Sequence, residues 1–180
     1  MGYECLLTGL PDISADSFRE EAPMTMAALD ELLAESLKQA DKEQLRLLKV
    51  HGRNGACQFI LDWLDFNRDM NNILTAEVCR KHGLELKKHI LGEMPDDVDP
   101  ELKTISKIDN LFERERMLDA FRFAWLEERT RMVTFSLENV LAYYLMCEML
   151  NRWTVLTAEK GEDVFRKMVA EMKKDVHLDA

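Results

Sequence analysis

Little in this chain would interrupt a helix: its 180 residues include only seven glycines and four prolines. Leu, Glu, Lys, Ala, Met and Arg dominate, so helix is the expected material. No apolar run is long enough to span a bilayer, and the opening MGYECLLTGLPDIS lacks the basic start and apolar length of a secretory signal. Gly2 is no myristoylation site, because Leu6 stands where Ser or Thr is required. The four cysteines, Cys5, Cys57, Cys79 and Cys147, form no CxxC pair and read as thiols of a reducing compartment. A cytoplasmic protein is expected, peripheral to a membrane only through a complex.

Basic residues are also scarce, 24 against 34 acidic ones, for a net charge of −10. That balance opposes a phosphate backbone or an anionic membrane as partner. Reaction chemistry is missing too: GxSxG, GxxxxGK[ST] and GxGxxG are all absent. Cys79 and His82 are three apart, but Gly83 intervenes before His89 and no fourth ligand has zinc spacing. There is no Glu-x-x-His pattern for a di-iron bundle. Cys57 and Cys147 have apolar neighbours and no sequence-evident base. The reading is a non-catalytic protein with no cofactor and no metal.

What is present suits one globular domain: 47% hydrophobic and 32% charged residues, in a chain long enough to bury about two-thirds of its extended surface. Tyr3–Leu10, closed by Gly9 and Pro11, reads as a short extended N-terminal arm. A helical pattern begins at Thr25 with Met26, Leu29, Leu32, Leu33 and Leu37 on one face. Asp41 and Gln44 form a capping box for the next helix, which HGRNG at 51–55 ends. CQFILDWLDF is the following apolar block; Asp69 then caps NNILTAEVCRKH, which Gly83 stops. After a short amphipathic turn, LELKKHIL, the acidic loop EMPDDVDP at 93–100 divides sub-units of about 1–92 and 101–180. Asp99–Pro100 opens a helix expected to run from about 101 to 133, the longest in the chain. Ser136 caps the next helix and Thr157 the last, for an all-α domain of seven or eight helices.

Within SLENVLAYYLMCEMLNRW (136–153) an amide stands on an apolar stripe. Asn139 is flanked on the helical wheel by Ala142, Tyr143, Met146, Leu150 and Trp153, and burial there requires hydrogen bonds. Laying 66–79 over 133–146 pairs Asp69 with Ser136, Asn72 with Asn139 and Ile73 with Val140. Two repeated helical units are expected, each with a first-turn asparagine that locks the angle at which its helix enters.

The twin motifs DMNNI and SLENV resemble the repeated helical unit of the central-stalk subunit of V-type and archaeal-type ATPases. LENVLAYYLMCEMLNRW, KGEDVFRKMV and the opening YECLLTGLPDI are similar to an uncharacterised bacterial family, domain of unknown function 2764, which occurs beside V-type ATPase subunits. The stalk subunit has three such units, and an arginine where this chain has Val78 and Leu145. The resemblance implies an accessory or spacer protein that couples a rotating shaft to a membrane ring, with ATPase subunits as its partners, in proton or sodium transport.

Two surfaces suit a partner: Arg122 and Arg129, seven apart and so aligned on the long helix, and the acidic cluster Asp62, Asp65 and Asp69. Methionines 132, 146, 149, 168 and 172 support an alternative, a free-standing helical adaptor that grips a partner helix in a Met-rich groove.

Overall fold

A computed structural model describes residues 2–13 and 22–155 of the chain. Among the described residues there are seven α-helices, one 3₁₀ turn and no strand. The helices are α1 (Tyr3–Thr8), α2 (Met26–Ser36), α3 (Gln39–Lys49), α4 (Gln58–His82), α5 (Pro100–Ile105), α6 (Leu111–Thr130) and α7 (Leu137–Val155), with the 3₁₀ turn at Leu86–Lys88. None is long and apolar enough to cross a membrane.

The central element is α7. Val140, Leu141, Ala142, Tyr144, Leu145, Met146, Cys147, Met149 and Leu150 are all buried, so this helix is covered around most of its circumference. It packs against α1, α2, α3 and α6. The main core therefore joins residues from both sides of the 93–100 loop: Leu6, Leu29 and Leu48 before it, Phe123, Leu126 and Leu141 after it. A second, smaller core contains Met70, Ile73, Leu102, Ile105 and Leu118.

The two cores share α4, whose first half supplies Phe59, Ile60 and Trp63 to one and whose middle supplies Met70 and Ile73 to the other. At 25 residues it spans about 37 Å and is the longest helix described. Rings tie it to α6: Phe66 stacks on Trp125 at 4.9 Å and 19° and on Phe121 at 5.8 Å and 23°. Offset stacks of this kind add to the burial of the rings themselves.

Four expectations are corrected. The N-terminal segment is helix α1 rather than an extended arm, with buried Leu6 seated in the main core. The helix expected over 101–133 is two helices. α5 ends at Ile105, where buried Ser106 donates to Lys103 O at 2.9 Å, and Asn110 caps α6 by accepting from Glu113 N at 3.2 Å. Asp69 caps nothing: it lies inside α4, where no Gly or Pro breaks the run, and it accepts from Arg68 at 2.7 and 2.9 Å. The Asp41–Gln44 box does not form, because α3 begins two residues earlier. Gln44 instead holds the next turn, donating to Gly55 O at 3.0 Å and accepting from Cys57 N at 2.7 Å. The helix expected after Thr157 lies outside the described residues.

Several helix ends follow the sequence. Thr25 caps α2 by accepting from Ala28 N, Asp99 caps α5 by accepting from Glu101 N at 2.8 Å, and Gly83 ends α4 in the left-handed conformation at φ 65°.

Candidate functional site

Asn139 stands in the first turn of α7, as the sequence indicates, and both polar atoms of its amide are hydrogen-bonded. Its Oδ1 accepts from Ser136 N at 3.1 Å and Ser136 Oγ at 2.9 Å, and its Nδ2 donates to Val133 O at 3.0 Å. Ser136 Oγ accepts in return from Asn139 N at 3.4 Å. This is a reciprocal capping box with an asparagine in the place usual for Glu or Gln. It fastens α7 to the connection from α6, in which Phe135 holds a φ of 51° that bulky residues rarely adopt. Val140, the next residue, is buried.

Asn72 does comparable work in a different place. It is buried in the middle of α4, not in a first turn, and Ile73 beside it enters the second core. Nδ2 donates to Leu91 O at 2.9 Å and Glu93 O at 3.2 Å, while Oδ1 accepts from Leu91 N at 2.9 Å. The two asparagines both tie non-helical backbone to a helix. Asn139 holds the segment just before its helix; Asn72 holds one 19 residues further on. The expected equivalence of the two units, Asp69–Asn72–Ile73 with Ser136–Asn139–Val140, does not hold in space, because α4 runs unbroken through the first of them.

The proposed partner residues are engaged within the chain. Arg122 is largely covered; it donates to Asp119 at 2.7 Å and to Asn67 Oδ1 at 3.1 Å. Arg129 donates to Asp62 at 2.9 Å and lies 3.9 Å from Glu138, linking α6 to α4 and α7. The arginine and acidic surfaces thus meet each other. Asp65 accepts from Arg68 at 2.8 Å and from Arg53, whose guanidinium holds the carboxyl below its ordinary range. About a third of each Arg129 and Asp62 side chain stays exposed, so this seam is reachable from outside.

The most buried charged side chain among the described residues belongs to Asp119. Asp119, with none of its surface exposed, accepts from Arg122 at 2.7 Å, from Trp153 Nε1 at 2.7 Å and from Arg152. The signal was in its spacing: Asp119 precedes buried Phe123 by four residues and Leu126 by seven, in the middle of the inward stripe of α6. A buried carboxylate at such a position requires partners, and the two arginines and the indole supply them.

Of the methionines, Met146 and Met149 fill the main core and Met132 projects into solvent at the α6–α7 corner; Met168 and Met172 lie outside the described residues. No Met-lined groove is formed by the three described. Cys79 is buried, and no group of three His, Cys, Asp or Glu side chains among the described residues is placed to hold a metal ion. Burial pushes the Cys147 thiol up to about 11, opposite to the activation a nucleophile needs. A small recess of about 90 Å³ among the described residues is lined by Tyr3, Leu6, Leu37 and Asp41. Typical small-molecule sites are several times larger.

This arrangement is suited to holding helices at fixed angles. No curated protein and no solved structure matches the chain. The family likeness expected along nearly the whole sequence is found over a shorter span that leaves out α1 to α4: residues 91–176 match the model of a family described as "Protein of unknown function (DUF2764)".

Proposed function

We propose that the protein is a non-catalytic accessory or spacer protein that works by protein–protein contact, as a stiff body in the manner of the central-stalk subunit of a V-type ATPase. The observation that carries the mechanical part is the shared α4 spine, which enters both cores while buried Asn72 clamps the loop that follows it. Close-packed interiors deform little, so displacement at one end of such a rod is transmitted to the other. Asn139 adds a second braced corner at the entrance of α7.

The rotary setting rests on the local sequence likeness of DMNNI, SLENV and the C-terminal segment to the stalk subunit and its neighbouring family. Non-equivalent placement of Asn72 and Asn139 removes the structural-repeat argument for that kinship, so the partner experiment decides it. Net charge −10 favours basic partner faces and fast encounter. Full-length protein mixed with purified shaft and ring subunits of a V-type ATPase is expected to co-elute with one of them in size-exclusion chromatography. Separate elution from both, with the protein folded by circular dichroism, would sink the stalk assignment and leave a helical spacer for other partners.

A further inference from the structure

The connection from α3 to α4 bends at 53–56, where Ala56 N donates to Arg53 O at 3.2 Å and Gly55 takes a φ of 79°. With Asn54 on the negative side, this is a type II turn, which favours glycine at its third position. No atom lies within 4 Å of where a Gly55 side chain would begin. Asn54 is exposed, and among the described residues no group bonds its amide or the Gly55 N–H. An asparagine before an unhindered backbone nitrogen carries its own electrophile and nucleophile. When Gly55 N attacks Asn54 Cγ, the N–Cγ bond forms, the Cγ–Nδ2 bond breaks, and Nδ2 leaves as ammonia with the proton from Gly55 N. Water then opens the cyclic imide at either carbonyl and leaves an aspartyl or an isoaspartyl link. Of the seven asparagines, the other six lie within helices or cap one, and each precedes a residue bulkier than glycine.

The fold also restrains this reaction. A type II turn holds its second residue at a ψ of about 120°, whereas ring closure needs Gly55 N eclipsed with Asn54 Cβ, so the turn must open first. Gln44, on α3, resists the opening: its Nε2 donates to Gly55 O at 3.0 Å and its Oε1 accepts from Cys57 N at 2.7 Å. We propose that Asn54, with Gly55 after it, is a site of spontaneous deamidation whose rate is set by the Gln44 clamp. The isoaspartyl product adds a backbone atom to the turn and a carboxylate beside Arg53, which already pairs with Asp65. Both changes oppose the register at which Gln44 spans Gly55 and Cys57, and so loosen the connection between α3 and α4.

The test incubates the full chain at pH 8 and 37 °C, native and unfolded in guanidinium chloride, and follows its peptides by mass spectrometry. In either state Asn54 should exchange amide for acid about tenfold faster than any other asparagine, and more slowly in the native chain than in the unfolded one. Gln44→Ala, shown to be folded by circular dichroism, should raise the native rate toward the unfolded one. A native chain whose Asn54 stays intact long after the unfolded chain has converted, or in which another asparagine converts first, overturns the site. Equal native and unfolded rates, or an unchanged native rate in Gln44→Ala, overturn the clamp. The isoaspartyl form, separated by its added charge, should exchange the amides of residues 56–61 faster than the unmodified protein. Unchanged exchange there overturns the effect on the α3–α4 connection.

Discussion

The amide of Asn72 closes on Leu91 from both directions, Nδ2 donating to its carbonyl and Oδ1 accepting from its N–H, each at 2.9 Å. One side chain in the middle of a helix thus takes the place of a partner strand for a loop that has none. Gly92, at φ 73°, makes the turn that lets Glu93 O reach the same Nδ2. The start of the acidic loop is set by this contact.

Asn72→Ala should therefore destabilise the protein by about 1–3 kcal/mol, since it removes three hydrogen bonds and opens a small void beside Ile73. Urea denaturation monitored by circular dichroism measures it. Stability within about 0.5 kcal/mol of the unsubstituted chain would mean that water replaces the amide freely.

At the α7 corner, two substitutions separate the roles of the Asn139 atoms. Asn139→Leu loses every side-chain bond and should cost about 1–3 kcal/mol, a fall in Tm of roughly 2–12 °C for a domain of this size. Asn139→Asp keeps the acceptor for Ser136 and gains from the helix dipole, but loses the donor to Val133. It should cost less than half as much as Leu. Equal losses for the two would assign the stabilisation to the Val133 bond alone.

Removing the buried charge is expected to have the largest effect. Asp119→Ala leaves Arg122, Arg152 and Trp153 without their acceptor and should cost about 3–5 kcal/mol. Trp153→Phe removes one donor while keeping a ring against Phe112, and should cost about 0.5–1.5 kcal/mol. If both fall within the smaller range, the carboxylate is dispensable and the network is held by packing.

Alkaline conditions should destabilise the fold through its tyrosines. Burial, with the Asp41 bond and charge adding to it, raises Tyr3 from 10.0 to about 12; burial likewise raises Tyr143 and Tyr144. A raised folded value means that the stabilisation is complete below pH 10 and is lost as pH climbs through the folded values. Melting temperatures should hold to about pH 10 and decline from there to pH 12. Tyrosinate absorbance at 295 nm in the native protein should lag that of the urea-unfolded chain; coincident titrations would contradict the burial.

Thiol labelling checks the packing of α4 and α7 independently. Cys5 is exposed and Cys57 partly so, whereas Cys79 and Cys147 are buried. At pH 8 in native buffer, Cys5 should label first and Cys57 more slowly, with Cys79 and Cys147 protected until the chain unfolds. Rapid labelling of Cys147 would show that α7 is not central.

Much of this was readable in one dimension. Helix as the material, the breaks at Gly83 and Asp99–Pro100, the cap at Thr25 and the need for partners at Asn139 all arise from local chemistry, which acts over a few residues. A break at Asn110 was equally local and signalled by Asn110-x-x-Glu113, but the continuous apolar spacing across 105–112 concealed it. Asp69 misled for the opposite reason. A capping residue starts a helix only where the chain is free to stop one, and the apolar contacts of Phe66, Met70 and Ile73 carry α4 through it.

Local residue order was enough to make this a helical protein, to set most helix ends and to require bonds at Asn139, because caps, breakers and amides act on their nearest neighbours. Long-range packing put α7 at the centre and made α4 serve two cores. It also made Asn72 grip a loop 19 residues away and buried Asp119 between arginines from α6 and α7. Those outcomes depend on which faces meet when several helices compete for the same buried volume, a choice made between elements distant in the chain.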